Sequence, residues 1–188
     1  MRVLVLYGTT EGHTRNLCQF IKGVLDEQGV DGTLADAAGE PPDPGGFDAC
    51  FVAASLHVGA YQAQVVDYAR RHHAALTERP SAFLSVSLSA AGESPDDWEG
   101  LTECVQRFIH QTTWTPAAIH HVAGAIRYSR YDFFKRLALK FIAKRRGQDT
   151  VTSRDYDLTD YDDLRRFVIG FMEAHRNAPP GAVDSGSR

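Results

Sequence analysis

Three threonines near the start of the 188-residue chain carry its clearest chemical signal. Residues 9–14 read Thr-Thr-Glu-Gly-His-Thr and directly follow a short apolar run. Hydroxyls, a glycine that opens the backbone, and the amino end of a following helix would together offer many hydrogen-bond donors to a phosphate. The segment lacks the lysine of a nucleotide-hydrolysing P-loop. We therefore predict a phosphate-binding loop of another kind, the alternative being a plain helix cap without a ligand.

The histidines and cysteines show no comparable pattern. The eight histidines, which include the pairs at 72–73 and 120–121, lack metal-ligand spacing. Spacing alone assembles no Ser-His-Asp or Cys-His arrangement for nucleophilic catalysis. The odd set of three cysteines, Cys18, Cys50 and Cys104, lies in apolar or helical contexts. We therefore expect no metal site, and we expect buried thiols in a reducing cytoplasm.

A second signal is the concentration of positive charge in residues 127–147, which hold eight basic residues and one acid, a net charge of +7, in a chain of net charge −4. Apolar residues between positions 133 and 142 recur on one helical face. Such a basic helix, 131–146, can lie in the headgroup region of an anionic membrane, or its apolar face can pack on the protein. Both interpretations stay open, and the overall negative charge gives no reason to expect nucleic acid.

Buried apolar runs and amphipathic helix patterns must position the phosphate loop, and they alternate along the chain. Strands are predicted at 3–7, 30–36, 49–54, 82–88 and 121–126, and helices at 14–28, 64–76, 101–112 and 161–175. This alternation implies right-handed crossovers and a parallel sheet covered on both faces. The fold class is therefore α/β, a three-layer sandwich with five parallel strands that we expect in the order 2-1-3-4-5.

The length of the chain favours one domain, over residues 1–176, with residues 127–158 inserted before the last helix. The remainder, 177–188, is rich in Pro, Gly and Ser, and we expect it to be disordered. The N-terminus shows no signal-peptide pattern, and no run of about 18 apolar residues occurs. We therefore expect a cytoplasmic protein, with attachment to the inner face of the cell membrane left open.

Ligands of open parallel sheets bind at the carboxyl ends of the strands, where loop 9–14 is predicted to lie. Its Thr-x-x-Gly-x-Thr pattern resembles the phosphate loop of flavodoxins, which bind flavin mononucleotide (FMN). Three further stretches resemble a narrower family, the flavodoxin-like protoporphyrinogen oxidases, or menaquinone-dependent protoporphyrinogen dehydrogenases, of bacterial haem synthesis. They are ASLHVGAY at 54–61, PSAFLSVSL at 80–88 and AGAIRYSRY at 123–131.

The resemblance implies which residues hold FMN. The phosphate would bind Thr9, Thr10, Glu11, Gly12, His13 and Thr14. The isoalloxazine ring would lie between two loops, with Ser55, Leu56, His57, Gly59 and Tyr61 on one side and Ser87, Leu88 and Ser89 on the other. His57 and Tyr61 are the expected stacking side chains, although Tyr61 could instead pack at a helix start. His57 stands where the family more often carries arginine.

The resemblance also implies an activity, the oxidation of protoporphyrinogen IX to protoporphyrin IX with a membrane quinone as electron acceptor. Arg127, Arg130 and Tyr131 are the candidate substrate contacts, since arginines and an aromatic ring suit propionates on a broad apolar macrocycle. Three alternatives stay open. A soluble flavodoxin would present an acidic rim to protein partners, a regulatory module would lack FMN, and a flavin or quinone reductase would react with NAD(P)H.

Overall fold

The computed structural model describes residues 1–92, 94–126 and 156–176, without the side chains of Ile126 and Tyr156. The candidate substrate contacts Arg127, Arg130 and Tyr131, the basic segment 131–146 and the tail 177–188 lie outside the described residues.

A five-stranded parallel sheet forms the middle layer, in the order β2-β1-β3-β4-β5. Its strands are β1 Arg2–Gly8, β2 Asp31–Asp36, β3 Ala49–Ser55, β4 Ser81–Ser87 and β5 Ala118–Ala123. The three central strands β1, β3 and β4 are buried over nearly their whole length. Continuous apolar runs suit them because helices cover both faces of the sheet. The predicted fold class and strand order are confirmed.

Within the described residues, five α-helices flank the sheet: α1 His13–Glu27, α2 Ala63–Arg71, α3 His73–Thr77, α4 Pro95–Thr112 and α5 Tyr161–His175. Short 3₁₀ turns occupy Pro44–Gly46 and Ser89–Ala91. One face of the sheet packs against α1 and α5, for example through Leu17 and Val168. The other face packs against α2 and α4, for example through Val65 and Phe108. The core is therefore two apolar layers, one on each side of the sheet.

Two predicted helices have different bounds in the structure. The helix expected at 64–76 is interrupted at His72, whose φ of −113° and ψ of 18° are not helical, and the following helix α3 buries Leu76. Helix α4 begins at Pro95, six positions before the predicted start at residue 101. Proline suits the first helical position, and Asp96 and Asp97 in the first turn match the helix dipole. Residues 95–100 are exposed, so they show no apolar periodicity.

The fifth strand was predicted at 121–126 but runs over Ala118–Ala123. At Gly124 the chain leaves the sheet, while the Gly124 N–H still donates to the Ser87 carbonyl at 2.9 Å. Two short strands follow, β6 Ala125–Ile126 and β7 Tyr156–Asp157, which pair antiparallel. We call this pair the ribbon. It joins the two ends of segment 127–155 beside the carboxyl end of β5.

Candidate functional site

A cleft opens at the carboxyl ends of the strands. The lining residues are Thr9, Thr10, Glu11, His13, Thr14, Ser55, Leu56, His57, Val86, Ser87, Leu88, Gly124 and Ala125. The loops after β1, β3, β4 and β5 therefore meet here, beside the switch in strand order at which open sheets bind ligands.

Loop 9–14 is organised by hydrogen bonds to its own hydroxyls. Gly12 caps α1 in the left-handed conformation, with φ 87°, and its N–H donates to the Thr9 Oγ1 at 2.8 Å. The Thr10 Oγ1 accepts from the Gln62 Nε2 at 3.1 Å. Because each of these hydroxyl oxygens already accepts a hydrogen bond, each keeps its own proton to donate. The loop thus presents hydroxyl donors at the amino end of α1, an arrangement that fits a phosphate.

Gln62, at the start of α2, connects this loop with the loop after β3. Its Oε1 accepts from the Ser55 N–H at 3.1 Å, and its Nε2 donates to the Ser55 Oγ as well as to Thr10. Gln62 was not among the predicted site residues. A polar side chain at a helix start beside a predicted site is the signal that could have identified it.

The loop after β3 folds back in a tight turn over residues 57–60. His57 and Ala60 exchange two backbone hydrogen bonds of 2.8 and 3.0 Å, and Val58 and Gly59 both have positive φ, 49° and 76°. A positive φ is unusual for a β-branched residue, and the Val58 side chain is 97% exposed. The Gly59 carbonyl accepts from the Arg107 Nη1 of α4 at 3.1 Å. The turn is thereby held against α4, and His57 lines the cleft.

The remaining predicted residues divide between the cleft wall and its support. Ser87 and Leu88 line the cleft, whereas Ser89 begins the 3₁₀ turn behind them and Gly59 lies at the exposed tip of its turn. Val86, Gly124 and Ala125 line the cleft but were not predicted. Gly124 and Ala125 were not predicted because the fifth strand was expected to continue through them.

Tyr61 is not among the residues that line the cleft, and the stacking role expected for it stays a prediction. Its side chain is 8% exposed, and its ring packs edge-on against Phe83 and Phe108, with centroids 5.1 and 5.3 Å apart. The hydroxyl lies 2.8 Å from the Ser85 Oγ. Burial raises the pKa of Tyr61 to about 12. The aromatic cluster under α4 buries the ring more completely than an open cleft would.

The substitution Tyr61→Phe tests this placement. It removes one buried hydrogen bond and keeps the ring, so we expect the free energy of unfolding to fall by about 1 kcal/mol. FMN affinity should stay within about twofold, because the hydroxyl lies in the core. Urea unfolding and FMN titration measure the two quantities. A large loss of FMN affinity without a loss of stability would indicate that Tyr61 contacts FMN in the cleft.

The adjacent histidines His120 and His121 support the sheet on opposite faces, since successive strand residues alternate. His120 stacks on Phe167 of α5 with centroids 4.2 Å apart, and its Nε2 lies 3.2 Å from Asp163. His121 meets Trp98 of α4 edge-on at 5.5 Å. Burial lowers the pKa of both imidazoles. Within the three described ranges, no cluster of three or more His, Cys, Asp or Glu side chains could hold a metal ion.

Asp157, the last residue of β7, carries a carboxylate that accepts several hydrogen bonds. The Tyr161 hydroxyl donates to its Oδ2 at 2.7 Å, and the Thr159 N–H donates to its Oδ1 at 3.0 Å. Partial burial acts to raise the pKa of Asp157, but these hydrogen bonds and the neighbouring His13 outweigh it, so the pKa lies below its ordinary value of 3.8. The charged carboxylate therefore stabilises the folded state.

A pH-dependent difference between the wild type and Asp157→Asn should follow. The carboxylate contributes stability at pH values above 3.8, and this contribution is lost as the pH falls through the lower pKa of the folded state. The wild type should therefore unfold at a higher temperature than Asp157→Asn near neutral pH, and the difference should shrink under acid. Calorimetry between about pH 3 and pH 6 measures it. A difference that stays constant with pH would contradict the assignment.

Comparison with known proteins places this chain in a family. The family model described as the flavodoxin domain matches residues 4–153. This chain belongs to the flavodoxin family. Oxidised flavodoxin 1 from Bacillus cereus superimposes with a TM-score of 0.56 at 12% identity, over 92% of this chain and 98% of that one. A short-chain flavodoxin associated with a non-canonical PDU bacterial microcompartment gives 0.59 at 13% identity, over 93% and 99%. These likenesses show the fold.

Two more similar relatives refine the membership. A Leishmania major protein named protoporphyrinogen IX dehydrogenase [quinone] is 32% identical over 182 residues, which cover 95% of this chain and 78% of the relative. A protein of the same name from Escherichia coli K12 is 30% identical over 170 residues, 89% of this chain and 93% of the relative. The resemblance drawn from the three sequence stretches is confirmed, and the chain groups with this branch of the flavodoxin family.

Proposed function

We propose that this protein is an FMN-dependent oxidoreductase that converts protoporphyrinogen IX to protoporphyrin IX and passes the electrons to a quinone. The observation that carries the proposal is the cleft, in which a hydroxyl-rich helix start and two flanking loops converge. Relatives at 30–32% identity over most of the chain are named for this reaction. The cleft supplies the binding chemistry, and the relatives supply the substrate and acceptor.

The described residues fit FMN in two respects. The hydroxyls of Thr9 and Thr10 and the start of α1 suit its phosphate, and the loops at 55–57 and 86–88 form opposing walls for a flat ring. When bound, FMN supplies the capacity to take up electrons in pairs. The oxidation of one porphyrinogen releases three such pairs. The protein positions the ring and leaves its edge accessible to the substrate.

The walls of the cleft are also suited to an apolar macrocycle, since Leu56, Leu88 and Ala125 line it beside His57. Arg127 and Arg130 are the proposed partners of the substrate propionates, with Tyr131 against the macrocycle. Arg127 comes two residues after the lining residue Ala125 in the sequence. This closeness in sequence supports a role for Arg127 in substrate binding.

Contact with the cytoplasmic face of the membrane is part of the proposal, because quinones reside in the lipid. None of the helices in the described ranges is long and apolar enough to span a bilayer. The basic, amphipathic sequence of 131–146 supports surface contact through apolar burial and attraction to anionic lipids. Sedimentation with anionic vesicles, compared with neutral vesicles, tests it. Equal binding to both would argue against a role for the charge.

Anaerobic mixing of the FMN-loaded protein with protoporphyrinogen IX tests the reaction. We expect the flavin absorbance to bleach as porphyrin fluorescence appears, and a menaquinone analogue in detergent should then restore the oxidised flavin and sustain turnover. A flavin that stays oxidised with the porphyrinogen but bleaches rapidly with NADPH or NADH would indicate a reductase. A flavin that responds to neither would favour an electron carrier.

A further inference from the structure

His13 reaches from the phosphate loop to the segment that follows the ribbon. Its side chain is 14% exposed, and its Nε2 lies 3.1 Å from the Thr159 Oγ1 and 3.7 Å from the Asp157 Oδ1. The Thr159 hydroxyl donates its proton to the Ala123 carbonyl at 2.8 Å. The Thr159 oxygen therefore accepts from His13, which places the imidazole proton on Nε2. We call the three side chains His13, Thr159 and Asp157 the latch.

The latch joins two walls of the same cleft. His13 belongs to loop 9–14, whereas Asp157 ends β7 and pairs with Ala125 of β6. The Leu158 N–H donates to the Gly124 carbonyl at 3.2 Å, which fixes this segment beside the cleft residues 124–125. Thr159 itself is not among the residues that line the cleft. A change at Thr159 would thus act on the cleft through the latch.

We propose that His13 is a positioning residue that couples occupancy of the FMN phosphate site to the order of the ribbon. The proposal rests on the proposed FMN site. When a bound phosphate fixes loop 9–14, the His13 Nε2 is held in position to donate to Thr159. The same hydrogen bond ties the segment after the ribbon to the loop, so an ordered ribbon also stabilises the loop. Such a coupling is reciprocal, so a broken latch weakens FMN binding and a bound FMN protects the ribbon.

The test compares Thr159→Val and His13→Leu with the rescue variant His13→Gln, whose amide restores an N–H donor. FMN dissociation constants come from flavin fluorescence quenching. We expect both latch-breaking variants to bind FMN about fivefold more weakly, and His13→Gln to bind within about twofold of the wild type. Riboflavin, which lacks the phosphate, should bind all four proteins equally. Thr102→Val, at an exposed threonine of α4, is the matched control and should leave the FMN affinity unchanged.

Hydrogen exchange of the ribbon amides gives a readout independent of activity. FMN should slow exchange at residues 125–126 and 156–158 in the wild type and in His13→Gln, but not in Thr159→Val or His13→Leu. Wild-type FMN affinity in Thr159→Val, with the ribbon still protected by FMN, would overturn the latch. If the wild type binds no FMN, the proposed function fails, and the latch is then tested by ribbon hydrogen exchange in the ligand-free proteins. Faster ribbon exchange in Thr159→Val would then support the connection, and equal exchange would overturn it.

Discussion

Replacing Thr10 with valine should weaken FMN binding about tenfold to a hundredfold, because a hydrogen bond to a charged group contributes about 1.5–3 kcal/mol. Thr10 is exposed and lines the cleft, and its hydroxyl oxygen accepts from the Gln62 amide, so its proton remains available to donate to a phosphate. Valine keeps the shape of threonine and removes the donor. Fluorescence titration of the apoprotein with FMN measures the loss.

Riboflavin provides the internal control for Thr10→Val. It shares the isoalloxazine ring with FMN but has no phosphate, so its affinity should change by less than about twofold. The ratio of the two dissociation constants therefore isolates the phosphate contribution. An equal loss for both ligands would show that Thr10 acts through the ring or through the shape of the loop. No loss for either would remove Thr10 from the proposed phosphate site.

Adding a single methyl group at Gly8 should destabilise the protein by about 1–3 kcal/mol, the usual cost of overpacking. Gly8 ends β1 directly before the phosphate loop, and a Cβ there would lie 2.4 Å from the Val65 Cγ2 and 3.2 Å from the Gln62 Cβ. The start of α2 therefore packs so close to β1 that position 8 has no room for a Cβ atom, and only glycine fits there without a shift. Urea unfolding of Gly8→Ala measures the loss of stability. FMN affinity should fall as well, because Gln62 supports Thr10.

A double-mutant cycle with Val65→Ala identifies the cause. Val65→Ala removes the methyl group that the new Cβ would meet, although the single change also costs buried apolar surface. The double variant should be more stable than the sum of the two single losses predicts, by about 1 kcal/mol or more. Strict additivity would mean that the destabilisation of Gly8→Ala comes from another contact.

The close approach at Gly8 illustrates which features could be predicted from sequence. A glycine between an apolar run and a threonine-rich loop marks the end of a strand. That Val65 occupies the space over its Cα follows only from the packing of α2 on the sheet. The same holds for Gln62, whose three hydrogen bonds depend on the loops after β1 and β3 lying side by side.

Two of the bounds that were predicted wrongly follow from the limits of apolar periodicity. Apolar periodicity locates an element only where one of its faces is buried. The exposed start of α4 carries no such pattern, and the run at 121–126 is apolar although the chain leaves the sheet at Gly124. The core position of Tyr61 could not be predicted for a related reason. An aromatic residue at a helix start can pack in a core or against a ligand, and only its neighbours in the fold distinguish the two.

Local chemistry in the sequence by itself determined the alternation of strands and helices and the position of the hydroxyl-rich loop 9–14 after the first strand. These depend on short-range signals: buried apolar runs, helix caps, and a glycine among hydroxyls. The tertiary structure alone decided that Tyr61 faces Ser85, that Gln62 joins two loops, and that His13 meets Thr159 across 146 positions of the chain. Contacts between residues so distant in sequence arise from packing, which no local pattern encodes.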